Sequence, residues 1–116
     1  MRSIRLIYES EGDILDVDFR LTGEKPRRGI ELHDNVTVWT DAQGTRIVRL
    51  MLLSYAKLLE QPDLPLAKLK KLPARQRAGL LKLLTSDPVK RFLVCVSEKS
   101  LRFRVADPGI RAGAAA

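Results

Sequence analysis

Residues 8–19 read Tyr8-Glu9-Ser10-Glu11-Gly12-Asp13-Ile14-Leu15-Asp16-Val17-Asp18-Phe19, a stretch in which apolar and acidic residues come to alternate. A pleated strand sends successive side chains to opposite faces, so Leu15, Val17 and Phe19 share one face while Asp16 and Asp18 share the other. A slip of one residue would put two carboxylates among apolar neighbours, and the pattern therefore fixes the register as well as the strand. This strand is expected to be the template of a small antiparallel sheet.

On the N-terminal side Ile4, Leu6 and Tyr8 alternate with Arg5 and Ile7 and predict a first strand. Ser10 to Asp13 then turn the chain back as a hairpin, with Gly12 suited to positive φ. Residues 22–29, TGEKPRRG, are expected to form a mobile loop. A third strand segment is predicted from about Ile30 to Thr40, interrupted by a bulge or tight bend at His33-Asp34-Asn35. Asp41 to Gly44 make the next hairpin loop, with Gly44 in a left-handed position. Arg46 to Leu53, RIVRLMLL, is apolar enough to be paired or covered on both sides. Ser54 is placed to cap a helix that begins at Tyr55 and stops before Pro62.

Along this part of the chain Tyr8, Glu11, Asp13, Leu15 and Val17, then Val36 and Val38, Asp41 and Gly44, and Ile47-Val48 leading to Leu52-Leu53 resemble the pattern of the DUF2283 family, small bacterial domains of unknown function. The resemblance covers about residues 4–58. It implies an antiparallel sheet with a helix packed on it, and some members are similar to the smaller partner in toxin–antitoxin pairs. Two positions depart from that pattern: Met51 stands where the family usually has an acidic residue, and Ser54 where an Asp usually begins the helix.

Beyond Pro62 the composition changes. Residues 1–61 hold nine Lys/Arg and ten Asp/Glu, a balance of −1, whereas residues 62–116 hold twelve and four, a balance of +8, which together give the chain's +7. Asp63-Leu64-Pro65 can start a helical turn carrying Leu66, Leu69 and Leu72 on one face and Lys68, Lys70 and Lys71 around the other. Pro73 suits the first position of a longer helix, since the residue before a proline does not comfortably stay helical. On that helix Ala74, Ala78, Leu81 and Thr85, broadened by Leu80 and Leu84, form the stripe expected to dock. Arg75 and Lys82 lie off it, and Ser86-Asp87-Pro88 ends the helix. Phe92 to Val96 and then Leu101, Phe103 and Val105, the last three alternating with Arg102 and Arg104, predict a C-terminal hairpin. It is expected to extend the first sheet or to pair with another subunit. Asp107-Pro108-Gly109 breaks the last strand, and a frayed tail is expected after it.

The fold class is thus α+β: a small antiparallel sheet of hairpins with a packed helix, followed by a helical segment and a C-terminal hairpin. The 116 residues suffice for one domain, burying roughly two-thirds of the surface its unfolded chain exposes. It is divided into a sheet and helix over 4–60, a basic extension over 62–106 and a tail over 107–116. Cys95, the one cysteine, excludes an intrachain disulfide and sits in an apolar run as a buried, inert thiol. Charges interspersed through MRSIRLIYES do not make a signal-peptide core, and no apolar run reaches the roughly 18 residues a membrane span needs. A cytoplasmic protein with no membrane association is expected.

No catalytic residue, metal ligand or cofactor is assigned. Asp16 and Asp18 stand about 7 Å apart on one strand face, close enough to flank a cation, but the spacing of a calcium loop and a neighbouring histidine are both missing. The simpler reading is a wet strand face. His33, the one histidine, sits in a turn, and phosphate-cradling glycine motifs and the HExxH zinc signature are absent. Trp39, opposite Val36 and Val38, is expected to be covered as core.

The remaining candidate is the cationic set Lys68, Lys70, Lys71, Arg75, Arg77, Lys82, Arg102 and Arg104, able to neutralise phosphates or steer an acidic surface. Few aromatics interleave with these charges, and Leu72-Pro73 breaks the chain too sharply for a helix-turn-helix. The expected function is a non-catalytic binding module, antitoxin-like or regulatory, engaging an acidic protein partner or nucleic acid through its basic half, with homodimerisation to cover edge strands. The alternatives are a small metal-dependent enzyme using the acidic strand face, and a structural subunit of an assembly.

Overall fold

The alternation in residues 14–18 forms a strand, Ile14–Asp18, whose Leu15 and Val17 are wholly buried while Asp16 and Asp18 lie on the other face. The computed structural model describes residues 4–21 and 23–107. The chain divides into two compact units at Tyr55/Ala56.

The first unit is a five-stranded antiparallel sheet. Strand β1 (Arg5–Glu9) pairs with β2 (Ile14–Asp18), which pairs with β5 (Ile47–Leu53), then β4 (Val36–Thr40) and β3 (Ile30–His33). The apolar run of residues 46–53 thus becomes the central strand, hydrogen-bonded on both sides as expected. Val17 lies opposite Leu50 and Leu15 opposite Leu52, while Val36 and Val38 meet the same two leucines from the other side. All of these are wholly buried and form one apolar sheet face.

Several local expectations are revised. The segment from Ile30 to Thr40 is two strands, because the bend at Asp34-Asn35 reverses the chain completely and leaves a register shift between Glu31 and His33. Asn35 secures that turn through its Nδ2, which donates to the Leu53 carbonyl at 3.1 Å. In the β1–β2 hairpin Asp13, not Gly12, takes the left-handed position (φ 54°), while Gly44 does so as expected (φ 72°). Helix α1 (Tyr55–Glu60) begins where expected. Ser54, however, is left-handed (φ 56°) instead of extended as an N-cap would be, and the Tyr55 N–H donates to the Asp13 carbonyl at 2.9 Å. The ring of Tyr55 meets Tyr8 edge-on with centroids 5.9 Å apart.

The loop of residues 23–29 is tied down at three places. The Glu24 carboxylate pairs with Arg46, and the Arg27 N–H donates to the Thr40 carbonyl at 2.8 Å. Gly29 packs so closely on Trp39 that an added Cβ would lie 2.9 Å from the indole.

The second unit has its own sheet. Strand β6 (Leu64–Pro65) pairs with β8 (Arg102–Val105), which pairs with β7 (Leu93–Ser97). The C-terminal hairpin therefore does not extend the first sheet. Leu64-Pro65 is its edge strand and not the start of a helical turn, an assignment that a proline accepts because an edge position needs no N–H donor. Helix α2 (Ala67–Lys70) and helix α3 (Ala74–Leu84) follow, with Pro73 one position earlier than expected, at the N-cap. On α3 the buried residues are Leu80 and Leu84, while Ala74 and Ala78 are exposed and Leu81 and Thr85 half-buried. The expected stripe is thus rotated: the leucines dock and the alanines do not. A short 3₁₀ turn (Val89–Arg91) leads into β7. Phe103 and Val105 point inward from β8 and Arg102 and Arg104 outward, as the alternation requires. The expected frayed tail, beyond Asp107, lies outside the described residues.

Candidate functional site

The acidic face of β2 is neutralised by arginines. Arg49, on the neighbouring β5, makes a two-pronged contact with Asp16, from Nε to Oδ1 at 2.9 Å and from Nη2 to Oδ2 at 2.6 Å. Its guanidinium also lies over the Trp39 ring, 4.6 Å from the centroid. Trp39 is accordingly half-buried on the outer face, sandwiched between Arg49 and Gly29 instead of sunk in the core. Arg20 grips Asp18 with Nε and Nη2, and this contact holds the Asp18 carboxyl below the usual carboxylate range. Wet strand face is therefore an incomplete description: both carboxylates have cationic partners. Among the described residues no three His, Cys, Asp or Glu side chains converge as metal ligands would.

The other single candidates are likewise accounted for. His33 Nδ1 accepts the Asn35 N–H at 3.1 Å, a turn contact. Cys95 is half-buried on β7, opposite Phe103; burial first, and the Glu98 carboxylate second, push its thiol pKa up and keep it in the unreactive neutral form.

In the second unit three segments enclose an open groove of about 720 Å³, within the size range of ligand-binding clefts. One side is the β6–α2 segment, the second is α3, and the third is the turn joining β7 to β8. The local sequence explains the opening. Ala74 and Ala78, a helical turn apart on the exposed side of α3, are too small to fill the space in front of them. Leu66 and Leu101 form a buried apolar floor, joined by the Leu66 N–H donating to the Leu101 carbonyl at 3.0 Å. Leu101 is itself left-handed (φ 54°), a conformation that the tight turn after Glu98 imposes on it.

The rim is cationic. Lys70, Arg77, Lys99 and Arg102 line the groove, against one carboxylate, Glu98. Arg77 and Arg102 are anchored. Arg77 Nη1 donates to the carbonyls of Lys70 and Leu72, both at 3.1 Å, and so closes the C-terminal end of α2. Arg102 pairs with Asp63 at 2.6 Å. The Lys70 and Lys99 side chains are exposed and make no ion pair among the described residues.

Of the residues singled out from the sequence, Lys70, Arg77 and Arg102 come together at this groove. Lys68 is half-buried on α2, and Lys71, Arg75, Lys82 and Arg104 are exposed but do not line it. Sequence reasoning missed Lys99 and the floor, Leu66 and Leu101. Lys99 sits in a polar turn with no local sign of its neighbours. The alanines of α3 are the one signal in the sequence, and their helical spacing fits a docked stripe equally well.

No family model, no curated protein and no solved structure matches the chain.

Proposed function

We propose that this chain is a non-catalytic binding module whose second unit receives an acidic segment of a protein partner in the groove between α2, α3 and the β7–β8 turn. The observation that carries this reading is the pairing of an apolar floor with a rim of four cations and one carboxylate. Such a surface suits a segment that turns apolar side chains down and carboxylates outward, and charge complementarity speeds and orients its docking. A phosphate backbone would use the cations but not the floor, and no aromatic residue lines the groove for bases to stack on. The neutralised Asp16 and Asp18 weigh against the alternative of metal-dependent catalysis.

The test is fluorescence polarisation with a labelled peptide of about ten residues alternating Leu and Glu, alongside mixed-sequence DNA and RNA. Saturable peptide binding that persists at moderate salt is expected. Filling the groove with Ala78→Trp should weaken it about tenfold or more, a loss of about 1.4 kcal/mol or greater. Absence of peptide binding at low salt contradicts the proposal. So does affinity confined to nucleic acid, falling steeply with salt and indifferent to Ala78→Trp.

A further inference from the structure

We propose that β1 is the interface of a homodimer, in which two copies pair this strand antiparallel about a two-fold axis at Ile7 and join their five-stranded sheets into one. Among the described residues three strands end the two sheets with an unpaired side besides the two-residue β6: β1, β3 and β7. Edge strands are commonly protected by bulges. A register shift lies in β3 between Glu31 and His33, and another in β7 between Cys95 and Ser97. Against β2, by contrast, β1 runs in unbroken register over five residues. It also exposes Leu6 (42%) and Ile7 (56%), two of the four large apolar residues most open to water among those described.

The sequence of β1, Arg5-Leu6-Ile7-Tyr8-Glu9, is complementary to itself read backwards. With the axis at Ile7, Arg5 faces Glu9 of the second copy, Leu6 faces its Tyr8, and Ile7 faces Ile7. Each of these pairs lies on one face, since antiparallel partners share the pleat. The axis generates every unlike pair twice, as a two-fold interface requires. The charges of the sheet point the same way. Across the outer face the register sets Arg49 opposite Asp18 and Asp18 opposite Arg5, a row of alternating sign that ends at Arg5 on the open edge. Glu9 of the second copy continues that row.

Sedimentation velocity on the full chain, from about 10 μM to about 1 mM, is expected to show reversible dimerisation. Glu9→Arg sets like charges together at both ends of the strand, and Ile7→Lys sets them at the axis. Each should weaken the dimer about tenfold or more, with circular dichroism unchanged. The charge swap Arg5→Glu/Glu9→Arg in one chain restores opposite charges at both crossings and should recover the dimer lost in Glu9→Arg. A wild-type chain that stays monomeric throughout overturns the proposal, as does a dimer indifferent to both Glu9→Arg and Ile7→Lys. Should the charge swap fold poorly, those two variants, at exposed edge positions, still decide.

Discussion

Leu15 and Asp16 are neighbours in sequence with opposite surroundings. Leu15 is wholly buried opposite Leu52, so truncating it opens a cavity on the apolar sheet face. Leu15→Ala should cost about 2–5 kcal/mol. Asp16→Ala removes the two-pronged partner of Arg49, a half-buried contact at 2.6 Å, and should cost about 1 kcal/mol, more than loss of a fully exposed carboxylate. Urea denaturation of the two variants checks the strand's orientation, and equal losses would contradict the register. The alternation of residues 14–19 made this much legible from sequence. The arginine partners were not, because Arg49 comes to Asp16 from a strand 33 residues away, and nothing local to the acidic stretch announces it.

Strands with clean alternation were readable from the sequence, and those defined only by pairing were not. The β6 strand is two residues long and contains Pro65. Its identity depends on β8, so local propensity pointed instead to a helical turn. The stripe on α3 was rotated for a related reason: alanine is compatible with either a docked or an open face, and only the tertiary partners decide. The β4–β5 turn shows an element held by one side chain. The Asp41 carboxylate accepts the Thr45 N–H (2.7 Å), the Thr45 hydroxyl (2.6 Å) and the Arg46 N–H (3.2 Å). Burial pushes its pKa up, but these hydrogen bonds together with the Arg46 charge outweigh burial and hold it below the ordinary value of 3.8. Between the folded and unfolded pKa values the unfolded chain binds a proton that the folded chain does not, so stability rises with pH through that window. The contribution is complete above the unfolded value and is lost as pH falls through the folded one. Asp41→Ala should therefore cost about 1–3 kcal/mol at neutral pH. In denaturation across an acid series the difference from wild type should shrink below about pH 4. A difference independent of pH would mean that the charged carboxylate does not hold the turn.

For the whole molecule, the charge asymmetry visible in the sequence survives as a property of the units. Residues 1–55 hold eight Lys/Arg and nine Asp/Glu, a balance of −1, and residues 56–116 hold thirteen and five, a balance of +8. Composition thus located the cationic half correctly but could not locate the groove, whose walls come from residues 65–70, 74–81 and 98–102. Among the described residues no helix is long and apolar enough to cross a membrane. In the proposed complex the partner's acidic segment seats on the groove floor and does not merely adhere to basic side chains. Amide NMR shifts recorded during titration with the Leu/Glu peptide distinguish seating from adhesion. The largest changes are expected at Leu66-Ala67, Ala78 to Leu81 and Lys99 to Arg102. Changes spread instead over Lys71, Arg75, Lys82 and Arg104, with Leu66 and Leu101 unmoved, would contradict seating on the floor.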